Sequence, residues 1–139
     1  MRSRSPSGYV VCLVSPLLIA LLVSCAHRQS VPSAPMRPAV INHVVFFKLQ
    51  DPADADVLVA DCESMLGQIP GVVALYAGRH IETGRPTVDS NYDVGIYVGF
   101  MDEAAYAGYV EHPSHLELVK KWQPRLQWLR VYDVLDETP

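Results

Sequence analysis

From Tyr109 to His115 the chain reads Tyr-Val-Glu-His-Pro-Ser-His, which sets one phenol, one carboxylate and two imidazoles within seven residues. A phenol can donate a hydrogen bond to a carbonyl or enolate oxygen, and a neutral imidazole can accept a proton. Tyr109 and His115 together suit proton abstraction next to a carbonyl, a step that positioned acid–base groups accelerate roughly 10²–10⁴-fold. Pro113 suits the first position of a helix, which places His115 in that helix's first turn. The partial positive charge of a helix N-terminus disfavours imidazolium and favours a neutral, proton-accepting ring. Tyr109 and His112 are three residues apart and share a helix face. Plain structural roles fit the same residues. Tyr109 suits a core aromatic, His112 a helix cap, and His115 a hydrogen-bonded corner.

His43 adds a third imidazole on a strand face shared with Val45 and Phe47. On such a face it reads as a satisfied core residue or as a ligand contact, and His112 is the other candidate for ligand binding. Three histidines, His43, His112 and His115, can in principle hold zinc with an open position. A His-x-x-His pair on one turn is a weak pattern and no acidic partner is obvious, so neither a metal nor another cofactor is expected. His80 reads as a strand-end surface residue, and Cys62 as a small core residue on a helix. Trp122 and Trp128 flank Pro124 and read as packing the last helix against the last strand.

These side chains must be positioned by elements that the hydrophobic pattern outlines. Ile41–Leu49 alternates as a strand with bulky groups on both faces. Asp51-Pro52 opens a helix with Asp as cap, and Leu58, Cys62, Met65, Leu66 and Ile69 recur at helical spacing. Asp54, Asp56, Asp61 and Glu63 lie largely off that stripe, and Pro70-Gly71 stops the helix. Val72–Ile81 is a second strand, with Val73, Leu75, Ala77 and Arg79 on one face. A turn-rich loop over 82–91 follows. In the third strand, Tyr92–Phe100, Gly95 and Gly99 on one face call for close approach by another group. Asp102 caps a helix through Glu111. A further helix runs from Pro113 to about Trp122, with Leu116, Val119, Lys120 and the stem of Trp122 on its apolar side. The last strand covers about Trp128–Leu135. The order β-α-β-β-α-α-β builds a four-stranded sheet with helices on one face. The other face stays apolar, and a second copy packed sheet against sheet would cover it.

The chain has 139 residues in three zones. Residues 39–139 form one small domain of about 100 residues, which buries only a modest share of its surface when alone. Residues 26–38 are rich in Pro and Ser and read as a semi-extended tether. Residues 1–25 begin with Arg2 and Arg4 and continue with an apolar run over Tyr9–Val23, short for a membrane span and suited to a secretory signal. The run ends in Leu22-Val23-Ser24-Cys25, which resembles the lipobox of bacterial lipoprotein precursors. That resemblance implies lipidation of Cys25, cleavage before it, and a cell-envelope protein held at a membrane facing the periplasm or exterior; multiple acyl chains anchor stably where one does not. Formal net charge is −4. Without Arg2 and Arg4, nine basic residues face fifteen acidic ones. An acidic domain without a basic stripe is a poor nucleic-acid partner.

Five strings in this order resemble the stress-responsive A/B barrel domain family of the dimeric α+β barrel superfamily. They are Asn42–Lys48, Ile69–Val72, Tyr92–Gly95, Tyr109–His115 and Val131–Asp133. The resemblance covers roughly residues 39–136. It implies an α+β, ferredoxin-like monomer with a four-stranded antiparallel sheet, paired into a barrel-like homodimer. Most members of the family have no assigned reaction. A plant polyketide cyclase branch performs an aldol-type cyclisation with a Tyr and a His that match Tyr109 and His115. A further pocket histidine of that branch aligns near Val94, where this chain has none, and its first-strand histidine is present as His43. The expectation is a membrane-anchored domain that binds a small apolar ligand with no defined reaction. The alternative is a cyclase-like enzyme that uses Tyr109 and His115 on a carbonyl substrate.

Overall fold

The computed structural model describes residues 37–138. The leading segment 1–25 with Cys25, and the tether up to residue 36, lie outside the described residues. Strand β1 (Ile41–Leu49) pairs antiparallel with strands on both sides. Ile41, His43, Val45, Phe47 and Leu49 are buried toward the helices, and the alternate residues are half-buried. Asp51 accepts from the Ala53 N–H at 2.9 Å and starts a short 3-10 turn, Pro52–Asp54, that leads into helix α1 (Ala55–Leu66). Ala55, Leu58, Cys62 and Leu66 form the buried stripe of α1. The chain then turns through Gly71, whose φ of +91° suits glycine, and a Cβ there would stand 2.9 Å from the Ala105 Cβ.

Strand β2 (Val72–Arg79) does not alternate strictly. Its pairing with β3 (Val94–Phe100) shifts between Val72 and Ala74. This bulge leaves Val73 half exposed and puts Val72 on the helix side with Leu75 and Ala77. The expected face with Val73 beside Leu75 is therefore corrected. β3 starts two residues later than its apolar pattern. Asp93 is occupied instead as a staple to β1: its carboxylate accepts from the Leu49 N–H at 2.8 Å and pairs with Lys48 at 3.0 Å. The expected close approaches at the two glycines are present, with Phe46 3.3 Å from a Cβ placed on Gly95 and Ala39 2.6 Å from one on Gly99.

Helix α2 (Glu103–Glu111) is capped by Asp102, which accepts from the Ala105 N–H at 2.8 Å. Helix α3 (Pro113–Trp122) follows after one residue, and a 3-10 turn leads into strand β4 (Leu126–Leu135), two residues earlier than the pattern suggests. The sheet is wholly antiparallel in the order β2-β3-β1-β4, and the fold is ferredoxin-like α+β. α3 buries Leu118 and Trp122, while Leu116 and Val119 are 54% and 41% exposed. Trp122 decides this orientation. Its ring is buried in the core cluster against which Leu126 of β4 also packs, and its Nε1–H donates to Asp61 on α1 at 2.7 Å, so this tryptophan also ties helix to helix. Asp61 also pairs with Lys121 at 2.6 Å and is not a solvated helix residue. The helices leave β4 largely uncovered, with Leu129, Val131, Tyr132 and Val134 each about half exposed. Among the described residues no helix is long and apolar enough to cross a membrane.

Candidate functional site

The site begins with the cross-strand register. His43 on β1 lies opposite Asp133 on β4, and its Nδ1 is 2.6 Å from the Asp133 carboxylate. A carboxylate only accepts, so Nδ1 carries the proton and Nε2 is the ring nitrogen left over. The second Asp133 oxygen accepts from the Tyr106 hydroxyl at 3.0 Å. Tyr106 and Tyr109 sit one turn apart on α2, and both rings lie against His43, at 5.6 and 5.7 Å between centroids. Tyr109 in turn meets His115 of α3 at 4.5 Å. Asp133, Tyr106, His43, Tyr109 and His115 therefore form one continuous cluster drawn from β4, α2, β1 and α3.

This cluster lies at one side of a cavity of about 500 Å³ between the sheet and α2–α3. Apolar side chains make most of the remaining wall, among them Phe47, Leu118, Trp122, Leu129 and Val131. Among the described residues no helix covers β4, and its wall residues Leu129 and Val131 are about half exposed.

The electrostatics of the two central groups differ. His115 Nδ1 lies 2.9 Å from the Val110 carbonyl, which can only accept, so the neutral ring keeps its proton there and offers Nε2 as a base. Burial holds His115 below the ordinary histidine value; the Val110 carbonyl opposes this shift and nearby His43 supports it. The direction matches the expectation from the helix end, but the leading cause is burial. Burial also pushes the Tyr109 phenol well above its ordinary range, with smaller contributions from Cys62 and Tyr106. Tyr109 is thus a hydrogen-bond donor rather than a phenolate. The buried Cys62 thiol is pushed up to about 12, chiefly by burial, and is no nucleophile.

The remaining histidines stand elsewhere. His112 joins α2 to α3 in an extended conformation, and its Nδ1 accepts from the Ser114 N–H at 3.2 Å as the cap of α3. It does not share a helix face with Tyr109 and is not part of the cavity wall. Among the described residues no three side chains of metal-ligating type are grouped to hold an ion. His80 is half-buried rather than a surface residue: its side chain is only 18% exposed, both ring nitrogens lack a hydrogen-bond partner, and Nε2 lies 3.9 Å from the Glu82 carboxylate. Sequence reading missed Asp133 and Tyr106. The signals were present: Tyr106 precedes Tyr109 by one turn, and Asp133 falls in a strand that can pair with the His43 strand.

The model of the stress responsive A/B barrel domain matches residues 41–136. A family protein from Mesorhizobium loti with a ferredoxin-like fold is 28% identical; the match covers 70% of this chain and 97% of that one, with a TM-score of 0.60. A dimeric ferredoxin-like protein of unknown function from Thermobifida fusca is 18% identical over 68% of this chain and 89% of that one, with a TM-score of 0.58. A hydroxynitrile lyase from Passiflora edulis is 18% identical over 74% of this chain and 99% of that one, with a TM-score of 0.62. The last two likenesses concern the fold alone. No curated protein is similar enough to count as a match. With most of its length matched by the family model, the chain belongs to the stress-responsive A/B barrel domain family.

Proposed function

We propose that the domain binds a small, largely apolar molecule that carries a carbonyl or hydroxyl oxygen. The observation that carries this reading is the cavity of about 500 Å³, apolar over most of its wall and bearing its hydrogen-bonding groups together at His43, Tyr109 and His115. Few polar groups in an apolar pocket fix orientation while burial supplies affinity. The Tyr109 phenol, kept protonated by burial, is the donor to the ligand oxygen. His112 contributes by capping α3 and so holding the His115 end of the wall. Binding of a medium-chain alkyl ketone, followed by calorimetry, tests this. Tyr109→Phe is expected to weaken it by about 1 kcal/mol, the net worth of one hydrogen bond. Equal affinity of the variant, or no affinity in the parent, overturns the reading.

A second reading rests on the His115 tautomer. With Nδ1–H held by Val110 and Nε2 open, His115 can remove a proton next to a carbonyl whose oxygen Tyr109 holds. Both groups would then act in one acid–base reaction. Deuterium exchange at the α-carbon of the bound ketone, followed by NMR in D₂O, separates binding from chemistry. His115→Ala is expected to abolish exchange while affinity persists. Exchange no faster than in buffer leaves a binding protein without this reaction.

The setting is a lipid-anchored homodimer in the cell envelope. The lipobox ending in Cys25 and the Pro/Ser-rich tether over 26–38 support the anchor. Cys25→Ser is expected to block lipid labelling and release the protein from the membrane fraction; unchanged labelling overturns it. The helix-free sheet face supports the dimer. Across its upper half run Tyr76, 65% exposed, Tyr97, Val44 and Tyr132, with Val134 in the next row. The Thermobifida fusca protein of the same fold is described as dimeric. Sedimentation of the detergent-solubilised protein at micromolar concentration is expected to give a dimer, and monomer alone refutes it.

A further inference from the structure

The main cavity lies on the helix side of the sheet, away from the face assigned to the homodimer. Its polar groups have fixed hydrogen-bonding directions. His43 commits its Nδ1–H to Asp133, and His115 commits its Nδ1–H to the Val110 carbonyl. In each neutral ring Nε2 is then an acceptor only. Tyr109 touches both imidazoles, with its ring 5.7 Å from His43 and 4.5 Å from His115. Tyr109 is 1% exposed, and its hydroxyl has no hydrogen-bond partner among the described residues. The Tyr106 hydroxyl is already committed to Asp133. The polar end of the cavity thus presents two acceptors and one donor.

A matching ligand carries two donors and one acceptor. Buried polar groups left unmatched weaken binding, so this count discriminates between ligand classes. A ketone or a simple ester satisfies Tyr109 and leaves both Nε2 atoms unmet. A fatty acid carboxylate offers acceptors alone and brings a negative charge toward Asp133. A head with two hydroxyls and a carbonyl satisfies all three groups. The rest of the cavity suits a straight tail. From His43 to Phe47 the β1 floor extends about 13 Å at the rise of a strand. The α3 wall from His115 to Trp122 extends about 10 Å at the rise of a helix. Phe47, Trp122 and Leu126 line the apolar end, and Leu126 pairs with Leu49, well along β1 from His43.

We propose that the cavity takes a neutral lipid of the glycerol monoester class. Its two hydroxyls donate to His43 and His115, its carbonyl accepts from Tyr109, and its acyl chain lies along β1 toward Trp122 and Leu126. This inference rests on the binding reading given above and adds to it a requirement for hydroxyl groups. It needs no reaction at the site.

The test is calorimetry on the full chain in detergent, with the heat of titration into detergent alone subtracted. The probes share one acyl chain: 1-octanoylglycerol, methyl octanoate and octanoate. 1-Octanoylglycerol is expected to bind roughly tenfold more tightly than methyl octanoate, because two added hydrogen bonds each contribute a few-fold. Octanoate is expected to bind most weakly. His115→Ala is expected to weaken 1-octanoylglycerol several-fold and to leave methyl octanoate unchanged, which also shows that the variant's cavity is intact. Equal affinity of the two esters, with the ketone still bound, overturns the proposal and leaves the broader binding reading in place. So does an equal loss of both esters in His115→Ala, because the ring is then a piece of wall and not an acceptor. Binding of neither the esters nor the ketone removes the binding reading and this proposal with it.

Discussion

Asp133→Ala is the most informative single perturbation of the cluster. His43 is only 7% exposed, and its Nδ1–H donates to Asp133 at 2.6 Å. Truncation leaves that donor buried without a partner and also strips the Tyr106 hydroxyl of its acceptor. A buried donor left unsatisfied costs about 1–3 kcal/mol. Asp133 itself is 46% exposed, so water can reach the vacated space and the lower part of that range applies, about 1–2 kcal/mol. For a domain of this size the corresponding fall in Tm is about 4–8 °C per kcal/mol. Asp133→Asn keeps an acceptor for His43 and loses only the charge, so it should lose less than half as much. The assay is thermal unfolding of parent, Asp133→Ala and Asp133→Asn at one fixed protein concentration, because association shifts Tm. A His43→Leu background completes a double-mutant cycle, in which the Asp133→Ala effect should shrink. If Asp133→Ala costs the same with and without His43, the hydrogen bond does not carry the effect and the reasoning fails.

Three further outcomes follow from the same structure. His115 has a folded-state pKa below its unfolded value, so its contribution to stability is full above about pH 6.5 and is lost as pH falls through the lower folded value. NMR titration of its ring should therefore give a midpoint below that of a free histidine, and a midpoint above it contradicts the burial argument. Gly71→Ala should destabilise the domain by about 1–3 kcal/mol, since it combines a left-handed backbone with overlap on Ala105; denaturant melting checks this. Trp122→Phe should lose about 1–3 kcal/mol by leaving Asp61 short of its indole donor and opening space in the core, with a Tm change near zero as the contrary result.

Much of the scaffold is legible in the linear pattern because each element carries its own punctuation. Asp51-Pro52, Asp102 and Pro113 mark helix starts that the structure retains. The errors share one cause, which is that a partner outside the local window decides the answer. Of the apolar side expected for α3, Trp122 is buried because it reaches Asp61 on another helix, while Leu116 and Val119 stay exposed and Leu118 is buried instead. The bulge at Val73 depends on the register with β3. Tyr109, His115 and His43 were recognisable as chemical residue types, and the structure groups them. Asp133 was not singled out, because a lone aspartate on an edge strand has meaning only once β4 is laid beside β1. His112 looked equivalent to His115 by type, but the single extended residue between two helices turns its ring to the backbone.

The hydrogen bond between His43 and Asp133 joins residues 90 positions apart. One side of the cavity lies in the first strand of the domain and the other in its last. The ribosome or a translocation channel must release nearly the whole chain before the polar cluster can exist. Until β4 is released, β1 can pair only along its β3 edge, and its other edge stays open. Ligand capture belongs to the finished molecule, and a chain that stops short of β4 loses the site entirely rather than in proportion to its missing length.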